Sequence, residues 1–350
     1  MKTTFISTSA MQNAVRLAVQ RAQAEAANRQ IEVMTERYAD VGLALGSKAT
    51  RSISLHRDVA RIDAVLDTNA LVTQRLSSSQ MVLSQMATTA QEVMDTLITL
   101  NDGSAAPLLD VANRSITGAL GNFIALANTS TSGEFLFSGV NTDVRPLDDY
   151  LAPGSAAKQA FDDLFVNRFG FAQDDPATAG ITAADMQDFI ENDVQAMFQG
   201  ADWETYWSNA SDTNMSSRIN SSEVIESSTN ANTAAFRNFA MAAVVSTELL
   251  GSKLDGATRS YLSEAVIGMA GSAITAIDAE RAGLGVSEAR VTKANDALRA
   301  QKDVVATYIG ELEGVDPYEA ATRMNTLLTQ MEASYALTAR IQQMSLLNYL

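Results

Sequence analysis

Residues 62–100, IDAVLDTNALVTQRLSSSQMVLSQMATTAQEVMDTLITL, carry a seven-residue repeat. With Ile62 at position a, the a series is Ile62, Asn69, Leu76, Leu83, Ala90 and Leu97. The d series is Val65, Val72, Ser79, Met86, Val93 and Leu100. Ten of these twelve side chains are apolar, the pattern of a long helix with a narrow packing seam. Asn69 either fixes register or oligomer state, as polar a residues do, or is a tolerated imperfection. Asn101-Asp102-Gly103-Ser104 then stops the helix.

A second heptad run lies near the other end: Ile277, Leu284, Val291, Leu298, Val305 and Leu312. Its d positions (Glu280, Ser287, Ala294, Gln301, Tyr308) are poorer, which suits packing among several helices. Outside these runs, Met11, Val15 and Ala18, then Ile31, Met34, Tyr38 and Val41, step by threes and fours until Gly42 and Gly46 intervene. Asp316-Pro317-Tyr318-Glu319 reads as a helix start, with Asp316 as N-cap, Pro317 at N1 and Glu319 completing a capping box. From there Met324, Leu327, Met331, Tyr335, Thr338 and Ile341 line one face. The five prolines leave residues 1–106 and 177–316 free of proline, so both stretches can be helical.

Further helices are predicted at Leu108–Asn128, 185–198, 236–250 and 261–277. A short strand and turn is predicted at Glu134–Gly139, and a hairpin at Ser217–Glu226. Gly268 and Gly271 read as points of close helix packing, and Gly283-Leu284-Gly285 as a helix irregularity. Both ends are therefore helical and the middle irregular. The chain goes out through helices, builds a domain and returns, with both termini at one end of a rod.

Net charge is −16, which argues against nucleic acid and anionic membrane as partners. Residues 141–230 hold 16 acidic and 4 basic side chains and so carry −12 of that total. A solvated, outward-facing segment follows, one that assembly contacts could do without; no calcium-loop pattern appears in it. No uncharged apolar run reaches the ~18 residues of a membrane span, and Met1–Ser9 has no apolar leader core. Cysteine is absent, removing disulfide and thiolate chemistry. His56, the single histidine, falls in an apparent linker with no nucleophile motif beside it, so it reads as a surface or hydrogen-bonded side chain. The acid pairs Asp148-Asp149, Asp162-Asp163 and Asp174-Asp175 are sequence neighbours that solvate a surface. Trp203 and Trp207 share a helix face, as a small core or as a carbohydrate or peptide platform. No catalytic residue, metal or cofactor is assigned.

Several segments together resemble the flagellin superfamily. Ser132-Gly133-Glu134-Phe135-Leu136-Phe137-Ser138-Gly139-Val140-Asn141-Thr142-Asp143 is similar to the segment that follows its first helical run. Asn230-Ala231-Asn232-Thr233-Ala234-Ala235-Phe236-Arg237 is similar to the point where its chains re-enter the returning helices. The ending Met344-Ser345-Leu346-Leu347-Asn348-Tyr349-Leu350 resembles the hook–filament junction branch of hook-associated proteins.

The resemblance implies a mainly α fold: a long coiled-coil-like helical rod built from the N- and C-terminal segments, with a small mixed α/β outer domain. The expected divisions are 1–45 and 313–350 as an inner helical domain, 46–140 and 216–312 as the rod, and 141–215 as the outer acidic domain. It implies an extracellular flagellar subunit, secreted through the type III channel without a cleavable signal and escorted by a cytosolic chaperone. It further implies a homo-oligomeric ring beside a neighbouring hook-associated protein and flagellin. Expected inter-subunit contacts are Met11, Val15, Ile31, Met34, Tyr38, Met324, Leu327, Met331, Tyr335, Ile341, Leu346, Leu347, Tyr349 and Leu350. A filament subunit, or a helical adhesin or ligand-binding protein, is the alternative.

Overall fold

The computed structural model describes residues 8–101, 106–251 and 253–347. The protein is mainly α, with long helices and, among the described residues, two short hairpins of strand. It forms two compact units. One runs to Ala64 and resumes at Ala297; the other is Val65–Asp296.

The first unit contains α1 (Thr8–Thr35), α2 (Val41–Leu45) and α11 (Pro317–Leu347), with the start of α3 (Ala49–Asn101) and the end of α10 (Gly256–Glu313). Helix α1 packs along α11. The pairing is antiparallel: Gln23 Nε2 donates to Tyr335 Oη at 2.8 Å, while Arg37 bridges Gly314. The α1 helix ends at Thr35, before the glycines; Glu36 takes φ +56°, and Gly46, also at positive φ, closes α2. Asp316 caps α11 through Tyr318 N at 2.8 Å. Glu319 does not close the capping box, because its carboxylate pairs with Arg323 at 2.5 Å.

The second unit holds the heptad seam. The a positions Asn69, Leu76, Leu83, Ala90 and Leu97 are buried, as are Val72, Ser79, Met86, Val93 and Leu100 at d. Asn69 Nδ2 donates to the Ile219 carbonyl at 2.9 Å and to Asn295 Oδ1 at 2.7 Å. It therefore fixes α3 against both α10 and the β-hairpin loop. Helix α4 (Ala106–Ala127) turns Ile116, Leu120 and Phe123 inward against α9 (Ala234–Leu249). Helix α9 is buried on every side, from Ala235 through Phe239–Val245 to Leu249, which makes it the central helix of the unit. Phe123 stacks on Phe239 with ring centroids 3.9 Å apart.

Between them the chain adds β1 (Ser130–Thr131) with β2 (Glu134–Phe135), α5 (Ala156–Phe169) and α6 (Ala183–Asp188). A π turn (Phe189–Val194), α7 (Gln195–Gln199), α8 (Asp202–Tyr206) and the antiparallel pair β3 (Ser216–Arg218) and β4 (Val224–Glu226) follow. The acidic segment also contributes to the core of its unit. Tyr150, Phe161, Phe165, Phe198, Trp203 and Trp207 share one continuous core with α3, α4 and α9. Its charges line the outside of side chains that the rest of the unit needs. Trp203 and Trp207 stack at 5.3 Å, both fully buried, so they are core and no ligand can reach a platform there.

Helix α10 is continuous through Gly283-Leu284-Gly285, without the anticipated irregularity. Gly268 and Gly271 are not points of close packing either: a Cβ built on each would meet nothing within 4 Å. The glycine spacing matched a packing motif, but these positions lie off the seam formed by Leu262, Val266, Ala270, Ala273 and Ile277. By length and composition α10 could also cross a membrane, with an 18-residue stretch of mean hydropathy 1.2. In this fold 33% of that stretch is buried, along that seam. His56 lies inside α3 and not in a linker; the polar run around it is the exposed side of a helix.

Candidate assembly surface and its polar clamp

The α1–α11 hairpin divides the expected contact residues into two groups. Apart from Glu32, the half-buried or buried positions among the described side chains of α1 are Val15, Val19, Ala22, Ala26, Arg29 and Val33, spaced by fours and threes. On α11, Ala320, Met324, Leu327, Met331, Ser334 and Thr338 continue the same spacing, with Pro317 and Ala321 also half-buried at its start. These two stripes form the seam of the hairpin, so Val15, Met324, Leu327 and Met331 are largely engaged within the chain. Met11, Ile31, Met34 and Tyr335 are exposed, Met34 at 76%, and Tyr38 is half-buried. Side chains of Ile341, Leu346 and Leu347, and all of Tyr349 and Leu350, lie outside the described residues.

The hairpin exposes more apolar surface than the sequence stripes revealed. Leu17, Leu328 and Leu337 stand out from it, and Tyr318 is 84% exposed. Beside its seam an open groove of about 430 Å³ is lined by Val15, Arg16, Val19, Tyr335 and Thr338 among others. Several large apolar side chains left uncovered on one helical pair mark it as a candidate interaction surface. The only signal in the sequence was negative: these side chains are apolar yet fall off the 3–4 stripe.

Where the hairpin meets the ends of α3 and α10 the packing is polar. Glu313, the last residue of α10, is 3% exposed. Its carboxylate accepts from Ser52 Oγ, lies 2.9 Å from His56 Nε2 and 3.5 Å from Arg37 Nη1. Its carbonyl accepts from Tyr38 N at 3.0 Å, and Val315 N donates to the Glu36 carbonyl at 2.9 Å. Burial alone would push this carboxyl up, the more so at a helix C-terminus, where the dipole disfavours an anion. The hydrogen bonds from Ser52 and His56 and the neighbouring cations outweigh that and hold it below the usual carboxylate range. Glu32, also buried, takes Arg29 Nη1 at 2.6 Å and Ala39 N at 3.3 Å. No pattern in the sequence signalled the clamp, because its members lie far apart along the chain.

In the second unit the two resemblance-bearing segments touch. Ser138 bridges Asn230, and Ala231 N donates to the Phe137 carbonyl at 2.8 Å. Asn232 accepts from Trp203 Nε1 at 3.1 Å and donates to Asp212 Oδ1 at 2.7 Å. Gly139 is at φ +63°, and a Cβ there would lie 2.4 Å from the Ser211 carbonyl oxygen. Near Lys158, Glu248 accepts from Tyr150 Oη at 3.0 Å; burial first, and the Glu248 charge second, hold that phenol above its ordinary pKa. Among the described residues no group of three acidic or histidine side chains is placed to hold a metal.

The geometry suits a structural protein: its first and last described helices pair, and large apolar side chains remain uncovered on that pair. Comparison with known proteins agrees. Residues 6–142 match the bacterial flagellin N-terminal helical region, and residues 267–350 the bacterial flagellin C-terminal helical region. The chain belongs to the flagellin superfamily, whose members are structural flagellar subunits that assemble into extracellular polymers. A solved structure of a protein proposed as a flagellar hook-associated protein, from Vibrio parahaemolyticus, is similar in fold. Its TM-score is 0.54 at 11% identity, covering 76% of this chain and 97% of that one. No curated protein matches the chain in sequence.

Proposed function

We propose that the protein joins the flagellar hook to the filament, as a ring of identical copies that contact one another through their terminal helices. The observation that carries this is the set of large apolar side chains left uncovered on the α1–α11 hairpin, Leu17, Ile31, Met34, Leu328 and Leu337. Burying one such side chain contributes roughly 1.5–3 kcal/mol, so several per neighbour suffice for association. The junction-like ending at Met344–Leu350 favours this role over that of a filament subunit. Under this reading the chain leaves the cell through the flagellar type III channel, accompanied until then by a cytosolic chaperone. Its neighbours in the assembled flagellum are a second hook-associated protein and flagellin.

A filament subunit is the second reading, favoured by both helical regions matching those of flagellin itself. Deleting the gene and imaging the flagella separates the two. The junction role requires bare hooks, with intact flagellin recovered from the medium and only a handful of copies of this chain per wild-type flagellum. Thousands of copies would establish the filament subunit, and unchanged flagella would establish an adhesin or ligand-binding role.

A further inference from the structure

The joint between the α1–α11 hairpin and the ends of α3 and α10 differs in kind from the rest of the first unit. Inside the hairpin, apolar side chains meet along a seam. At the joint, the buried groups include Glu32, Ser52 and Glu313, with few large apolar side chains beside them. Apolar contacts are non-directional and yield gradually, whereas a buried carboxylate with several donors holds as a set. Glu313 concentrates that set. Ser52 and His56 come to it from α3, and Arg37 from the connection that follows α1. The same residue's carbonyl holds Tyr38 N, beside Glu36 in the left-handed region that non-glycine residues seldom occupy. One side chain thus ties three segments, and removing its charge leaves Arg37 and His56 without their shared anion.

We propose that Glu313, gripped by Ser52, His56 and Arg37, is a latch that either seats the α1–α11 hairpin on the ends of α3 and α10 or releases it as one piece. Release leaves the hairpin's own seam intact. A subunit entering a polymer then has a helical pair whose angle can be reset without unfolding it. The latch is a property of the single chain and stands whether or not the junction role holds.

Residue-resolved hydrogen exchange on the full-length monomer tests it, comparing wild type with Glu313→Gln, which keeps the shape and removes the charge. The amides of Tyr38 and Val315 should exchange at least tenfold faster in the variant. Mid-helix amides of α1 and α11, and those of α9, should be unchanged. Unaltered exchange at Tyr38 and Val315 would overturn the latch. So would acceleration within α1 and α11 equal to that at the joint, since the hairpin would then melt and not detach. Should Glu313→Gln fail to fold, Ser52→Ala and His56→Gln must each give the same pattern at about threefold, and their failure to do so counts against the proposal.

Discussion

Ser138 and Asn230 meet main chain to main chain in an isolated antiparallel bridge. The outgoing chain, just past α4, is thereby pinned to the returning chain, just before α9. Gly139 follows immediately, at φ +63° and pressed against the Ser211 and Thr213 carbonyls. Adding a methyl group there forces a backbone shift on top of the ~1–2 kcal/mol cost of a left-handed non-glycine residue. Gly139→Ala is expected to destabilise the second unit by at least ~2 kcal/mol, read as a lower denaturant midpoint by tryptophan fluorescence. An unchanged midpoint would mean the bridge contributes nothing.

The acidic segment should prove indispensable to its unit. Removing residues 145–210 takes out Trp203, Trp207, Phe161 and Phe198 and uncovers Phe123, Phe236 and Phe239. Each large side chain left without its neighbours is worth roughly 3–5 kcal/mol, near the whole stability of a typical domain. The trimmed chain should lack a cooperative thermal transition in this unit, measured by near-ultraviolet circular dichroism. A sharp transition near the wild-type temperature would show that the helices form a core of their own.

Acidification should loosen the joint of the first unit. The Glu313 carboxyl titrates below its ordinary value in the folded chain. Its stabilising contribution is therefore complete above the unfolded-state value, near 4.3 for glutamate. It is lost as pH falls from there through the lowered folded-state value. Exchange at Tyr38 and Val315 should rise over that interval in wild type, while Glu313→Gln shows no such step. A Gln variant with the same acid response would assign the effect to other carboxylates.

The C-terminal tail places Leu346, Leu347, Tyr349 and Leu350 within five residues. Losing three leucine-sized contacts per interface removes ~4–9 kcal/mol of association energy before relaxation. Deleting Leu346–Leu350 is expected to leave monomer helicity and melting nearly unchanged while abolishing motility. Normal motility would remove the tail from the interface, and a collapsed core would assign it to folding instead.

The α3 seam was legible because a strict heptad admits few alternatives, and the buried side chains fall where the repeat puts them. The hairpin Ser217–Glu226 was equally plain, apart from one residue at its start. The α1 seam was not. Its inner face uses Val15, Val19, Ala22 and Ala26, while the larger Met11, Ile31 and Met34 face outward, so the stepping of large apolar residues marked only Val15 of that face. Helix α5 escaped notice because Lys158, Asp162, Asp163 and Arg168 mask the inward Phe161 and Phe165. The Glu313 clamp had no local signal: its histidine partner lies 257 residues away, and only the fold brings the two together.

The central position of α9 governs the order in which this protein can take shape. A ribosome releases the chain at roughly 5–20 residues per second, and α9 begins only at Ala234. For roughly 5–25 seconds, therefore, α3 and α4 are complete while the helix that packs against α4 has not yet been made. The inward side chains of α4, Ile116, Leu120 and Phe123, stay wet throughout that delay. The nascent protein is thus obliged by its own topology to remain open until about two-thirds of it exists. During that interval it is both hazardous to its surroundings and easiest to thread through a narrow passage.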